Sequence, residues 1–177
     1  MRIEQLQQDF DLELRWTVLP LHPETPEQGQ SLEQLFAGRI DVPSAMAHLR
    51  QVAESLDLPF GDRTQTYNSR RAQELGKWAE LQGRGDSFRS AVYKAYFVDG
   101  RNIAEPKELA AIVTSLGLSA EDALQVLDEQ RFSAAVDADW QRARSFGVNS
   151  VPTHFYRNRS LVGFQDYAAF RRLVSDS

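Results

Sequence analysis

The spacing of apolar residues along the chain switches between helical and strand periods, and each switch predicts an element boundary. Ile3, Leu6 and Phe10 recur at helix spacing, with Glu4, Gln5, Gln7 and Gln8 on the other side. Leu12, Leu14, Trp16 and Val18 then alternate with Glu13, Arg15 and Thr17, which predicts a strand with one apolar face. Pro20, Pro23 and Pro26 interrupt regular structure as far as Gly29.

From Ser31 to Phe146 the pattern is helical almost throughout. A short helix beginning at Ser31-Leu32-Glu33-Gln34 closes at Gly38, and Asp41 can cap the helix of Ala45, Leu49, Val52 and Leu56, with Pro43 tolerated in its first turn. Ser69 to Leu81 and Ser87 to Val98 form a helical pair joined through Gly83 and Gly85. Further helices run from Pro106 to Leu116, from the N-terminal box at Ser119 through Leu127, and from Phe132 to Phe146. After Gly147 the period returns to two. Thr153 to Tyr156 reads as a strand, Arg157-Asn158-Arg159 as its turn and Leu161-Val162 as the returning strand. Tyr167, Phe170, Leu173 and Val174 mark a closing amphipathic helix.

Composition narrows the function classes. A chain of 177 residues can bury a good core, and its 42% apolar and 25% charged residues are ordinary for a globular protein. The net charge of −5 argues against a broad nucleic-acid or anionic-membrane surface. No apolar run reaches the length of a membrane span, and the N-terminus lacks the apolar stretch of a signal peptide, so a cytoplasmic location is expected. There is no cysteine, hence no disulfide framework and no thiolate metal site. His22, His48 and His154 show no metal-ligand spacing, and no cofactor is expected. His154, on a strand beside Pro152, reads as an interior histidine rather than a general base. Arg84-Gly85-Asp86 reads as a helix–helix turn, and Arg157, Arg159, Arg171 and Arg172 as a solvated basic patch.

Ser150-Val151-Pro152-Thr153-His154-Phe155-Tyr156, placed after a long helical region and before strand, turn, strand and helix, resembles the second half of a DsbA-like thioredoxin fold. Other segments carry the same likeness, to the cytoplasmic FrnE-like branch of that family. They are Pro20 to Pro26, Tyr67-Asn68-Ser69-Arg70-Arg71-Ala72, Ala95 to Gly100, Gly147-Val148 and Gly163-Phe164-Gln165-Asp166-Tyr167. The resemblance implies an α/β thioredoxin-like domain (residues 1–30 and 147–177) interrupted by an all-helical insertion (31–146). It implies a cis bond at Val151–Pro152, with the Val151 backbone pairing an extended peptide or a glutathione-like thiol by strand addition. Val151, Pro152, Thr153, Asn68 and Gln165 are the implied substrate-binding residues. Asn68 or Ser69 also reads simply as a helix cap, and Gln165-Asp166 as another.

Members of the family open with a strand running into Cys-x-x-C at the mouth of the first helix, which looks like residues 2 to 10 here. Such a segment, on the order of 20 residues, is expected upstream of Met1. Disulfide exchange requires a thiolate, so the chain is expected to be inactive as given, with no catalytic residue of its own. The family's opening strand lies centrally, between Leu12–Val18 and Thr153–Tyr156. Residues 1–177 alone are therefore expected to be unstable, or to recover pairing by closing the gap or by swapping strands in a homodimer. Three functions stay open: a thiol–disulfide oxidoreductase acting on protein thiols and disulfides, a glutathione-dependent isomerase or transferase of the kappa-class or hydroxychromene-carboxylate isomerase kind, and a non-catalytic peptide-binding or chaperone-like module.

Overall fold

A computed structural model describes residues 2–175. Met1, on which the expectation of an upstream segment turns, and the last two residues lie outside the described residues. The elements run α1 (Arg2–Asp9), β1 (Gln30–Ser31), α2 (Leu32–Phe36), α3 (Val42–Glu54), β2 (Gln65–Thr66), α4 (Arg70–Leu81), α5 (Gly85–Phe97), α6 (Pro106–Ser115), α7 (Ala120–Asp128), α8 (Ser133–Ser145), β3 (Thr153–Tyr156), β4 (Arg159–Val162) and α9 (Tyr167–Ser175). They form two compact units: residues up to Leu21 with those from Ala138 onward, and the block His22–Asp137 between them.

The intervening block is helical because its local signals agree with its apolar spacing. Ser31 and Gln34 form a reciprocal capping box at the start of α2, and the Ser119 hydroxyl accepts the Asp122 amide at 3.1 Å to start α7. Asp41 accepts the Ser44 amide and so caps α3, while Pro43 sits in the first turn where its missing N–H costs nothing. The apolar faces of α4, α5, α6 and α7 meet in one core, with Leu75, Phe88, Leu109, Val113 and Val126 fully buried. Burial of such side chains is the main stabilising term, at about 1.5–3 kcal/mol each.

Two expectations are corrected. The block is not wholly helical, since β1 and β2 pair antiparallel, Gln30 with Thr66 and Ser31 with Gln65. A two-residue ladder of polar side chains has no hydrophobic alternation to announce it. The two compact units meet in sequence at Leu21/His22 and at Asp137/Ala138. The proline-rich loop after Leu21 belongs with the helices because Thr25 is buried there and side chains of Asn68, Arg71 and Asn102 bond its backbone or Glu27. The second half of α8 belongs with the other unit, where the Phe146 ring just beyond it packs at a tilt against Phe155, centroids 5.0 Å apart. Finally, Leu12–Val18 forms no strand. The segment has no ladder partner among the described residues, and the Val18 amide turns instead to the Asp139 carboxylate at 3.0 Å.

In that other unit, α1 and α9 pack together through Leu6, Phe170 and Leu173, and Tyr167 donates its hydroxyl to Asp9. The β3–β4 hairpin lies against α9, with His154 edge-on to the Phe170 ring at 4.8 Å.

Candidate functional site

The hairpin is antiparallel, with Thr153 opposite Val162, His154 opposite Leu161, Phe155 opposite Ser160 and Tyr156 opposite Arg159. Its pleat turns His154 and Tyr156 to one face, and Thr153 and Phe155 to the other. Arg157, at the turn, takes the left-handed φ of 54° that a tight hairpin connection demands.

At the mouth of β3 the Val151–Pro152 bond is cis. Proline has no N–H, so Pro152 can join the ladder only through its carbonyl, which accepts the Gly163 amide at 2.8 Å. The Thr153 hydroxyl donates to the Ser150 carbonyl at 2.7 Å and tightens the entry from the other side. Both bonds fix the backbone around Val151 while leaving Val151 itself open. Its residue surface is 49% exposed, and neither its amide nor its carbonyl makes a hydrogen bond among the described residues. Among the described residues β3 is laddered on one edge only, the edge that β4 occupies.

Gln165 lies in the same unit, its amide donating to the Val162 carbonyl at 2.9 Å at the end of β4. The cap of α9 comes from Asp166, whose carboxylate accepts the Ala169 amide at 2.7 Å. Asn68 lies in the helical unit. Its side chain donates to the carbonyls of Pro23 at 3.2 Å and Thr25 at 2.8 Å, and accepts the Arg70 amide at 2.8 Å. Asn68 thus ties the proline-rich loop to the start of α4. The structure brings Val151, Pro152, Thr153 and Gln165 into one unit and leaves Asn68 in the other.

His154 is half-buried, and its Nδ1 is buried without a hydrogen-bond partner. Burial pushes its pKa below the ordinary 6.5, against a smaller opposing effect of a hydrogen bond to the Leu161 backbone. His154 is therefore neutral near pH 7, an interior histidine with one nitrogen unsatisfied. His22 pairs with Glu24 at 3.5 Å and meets Phe36 edge-on, and His48 is exposed on α3. No group of three or more metal-ligating side chains comes together among the described residues.

Chemically, the entry offers directed main-chain groups and no nucleophile. With no cysteine in the chain, no mixed disulfide can form on it. Two features escape a reading of single positions. Asp139 is 3% exposed and supplies the acceptor for Val18, 121 residues away, which no local signal announces. The outer hairpin face with Phe146, Phe155 and Arg142 does leave a trace: four arginines and no acidic residue between Trp140 and Gln165.

Comparison with known proteins bears on this arrangement. A family profile described as a DSBA-like thioredoxin domain matches residues 1–175. Among solved structures, a probable DsbA oxidoreductase from Streptomyces coelicolor superposes with a TM-score of 0.86 at 21% identity, over 98% of this chain and 80% of that one. A 2-hydroxychromene-2-carboxylate isomerase gives 0.72 at 18% identity, over 98% of this chain and 84% of that one. The cytosolic disulfide reductase DsbM from Pseudomonas aeruginosa, solved with GSH, gives 0.55 at 23% identity, over 73% and 68%. At these identities the likeness carries the fold. No curated protein matches.

Proposed function

We propose that this chain, which belongs to the DSBA-like thioredoxin domain family, binds extended polypeptide at Val151-Pro152-Thr153 for thiol–disulfide chemistry whose thiols come from outside these 177 residues. The observation that carries the reading is the unbonded backbone of Val151. A peptide laid alongside it gains main-chain hydrogen bonds that depend little on sequence. Pro152 and Thr153 hold that backbone open, Gln165 borders it at the end of β4, and Asn68 contributes by holding the Pro23–Thr25 loop in its own unit. The mostly helical α/β architecture with two small sheets is that of a DsbA-like thioredoxin fold.

A second reading draws on the same lack of cysteine: the thiol is a bound small molecule such as glutathione, as in a glutathione-dependent isomerase. Two similar structures, of an isomerase and of a disulfide reductase with GSH, support it. The similarity to the cytosolic disulfide reductase DsbM supports a cytoplasmic setting. No described helix is long and apolar enough to cross a membrane.

Binding of a reduced, carboxymethylated unfolded polypeptide tests the proposal without any thiol. The wild-type chain should bind it non-covalently, Val151→Ala should retain binding and Val151→Pro, which removes the amide donor, should lose it. Insulin reduction by dithiothreitol should proceed at the protein-free rate. Binding that ignores Val151→Pro would overturn the role of Val151. A rate that rises with added glutathione but not with dithiothreitol would favour the second reading.

A further inference from the structure

We propose that the outer face of the β3–β4 hairpin docks an acidic segment of a partner protein that carries a large apolar anchor. The pleat and register put Thr153, Phe155, Ser160 and Val162 on that face. Phe155 is 42% and Val162 48% exposed, and Phe146, itself 49% exposed, packs its ring at a 40° tilt against Phe155 with centroids 5.0 Å apart. The Arg142 guanidinium lies over the Phe146 ring, 5.1 Å from its centre, so the apolar strip ends on a cation. Arg157 stands exposed at the hairpin turn, 5.2 Å from the Tyr156 ring centre.

The charges decide what the strip fits. Acidic residues outnumber basic ones in the chain by 25 to 20, and Arg70, Arg71, Arg101 and Arg131 each pair with a carboxylate. Arg142 and Arg157 do not: among the described residues each has an aromatic ring beneath it and no carboxylate beside it. No Asp or Glu occurs from Trp140 to Gln165. The unneutralised Arg142 guanidinium beside exposed phenylalanines, with Arg157 at the hairpin turn over Tyr156 of the other face, complements carboxylates that flank an aromatic or aliphatic side chain. The net charge of −5 disfavours a nucleic acid on the same face. This docking needs no thiol and does not rest on the open backbone of Val151.

The probes are fluorescent peptides of equal length: Glu-rich with two central phenylalanines, Lys-rich with the same phenylalanines, and Glu-rich with serines in their place. Anisotropy should show saturable binding of the first alone, weakening as salt rises. Arg142→Glu and Phe146→Ser, both at exposed positions, should each weaken it by about tenfold or more. Both variants should keep the carboxymethylated-polypeptide binding that Val151→Pro loses, so each proposal can fail without the other. Equal binding of the Lys-rich peptide, indifference to Arg142→Glu, or tighter binding of a single-stranded oligonucleotide would overturn it. So would wild-type self-association in sedimentation velocity that Arg142→Glu abolishes, since the occupant would then be a second copy.

Discussion

The backbone amide of Val18 donates to a carboxylate oxygen of Asp139 at 3.0 Å, across 121 positions of sequence. Asp139 is 3% exposed, so the bond helps to satisfy a carboxylate that water cannot reach, alongside the Arg15 guanidinium 4.0 Å away. It also ties down Leu12–Val18, a segment with no ladder of its own among the described residues. Asp139→Leu should therefore lower stability by about 1.5–3 kcal/mol, the range for a hydrogen bond to a charged group. Asp139→Asn, which keeps an acceptor oxygen, should cost less. Urea midpoints at constant m-value measure both, and an unchanged midpoint for Asp139→Leu would show that the bond does not anchor the segment.

Arg70 is the corresponding anchor in the helical unit. It donates to Glu74 at 2.6 Å, to Asp137 at 2.6 Å, and to the Ser133 carbonyl at 2.9 Å. The Glu74 side chain is only 7% exposed, so Arg70→Leu leaves a buried carboxylate without its partner. The expected loss is about 3 kcal/mol, nearly all from Glu74, because the half-exposed Asp137 pair is screened by water. The double variant Arg70→Leu/Glu74→Leu should recover much of that loss. A double-mutant cycle measured by denaturation checks it, and strict additivity would show that the two side chains act independently.

Neutral His154 makes stability depend on pH with a definite sign. Its folded pKa lies below 6.5, so as pH falls under 6.5 the unfolded chain takes up a proton that the folded chain resists. The contribution is fully present above 6.5 and is lost as pH falls toward the lowered folded value. His154→Phe should flatten the decline of the thermal midpoint on the acid side of 6.5. A decline as steep as that of the wild type would place the titration elsewhere.

What could be read in the sequence was what short-range physics encodes. The caps at Asp41 and Ser119 act within three residues, and the α9 face of Phe170 and Leu173 lies within one helix, so each was legible. Ser150-Val151-Pro152-Thr153 located the hairpin entry through the likeness it carries. Alternation at Leu12–Val18 described a strand's surface but not a partner, and pairing is a non-local property. For Asn68 the bond to the Arg70 amide followed from cap chemistry. Its bonds to Pro23 and Thr25, 45 and 43 residues away, had no local signature.

Backbone-amide hydrogen exchange across the hairpin entry most directly tests whether this chain is a peptide-binding thioredoxin-like domain without thiols of its own. On titration with the carboxymethylated unfolded polypeptide, the Val151 amide should gain protection while the helical core around Leu75 and Val113 stays unchanged. The protein mass should show no covalent adduct. An unprotected Val151 amide at saturating polypeptide would contradict a binding role for the Val151–Pro152 entry.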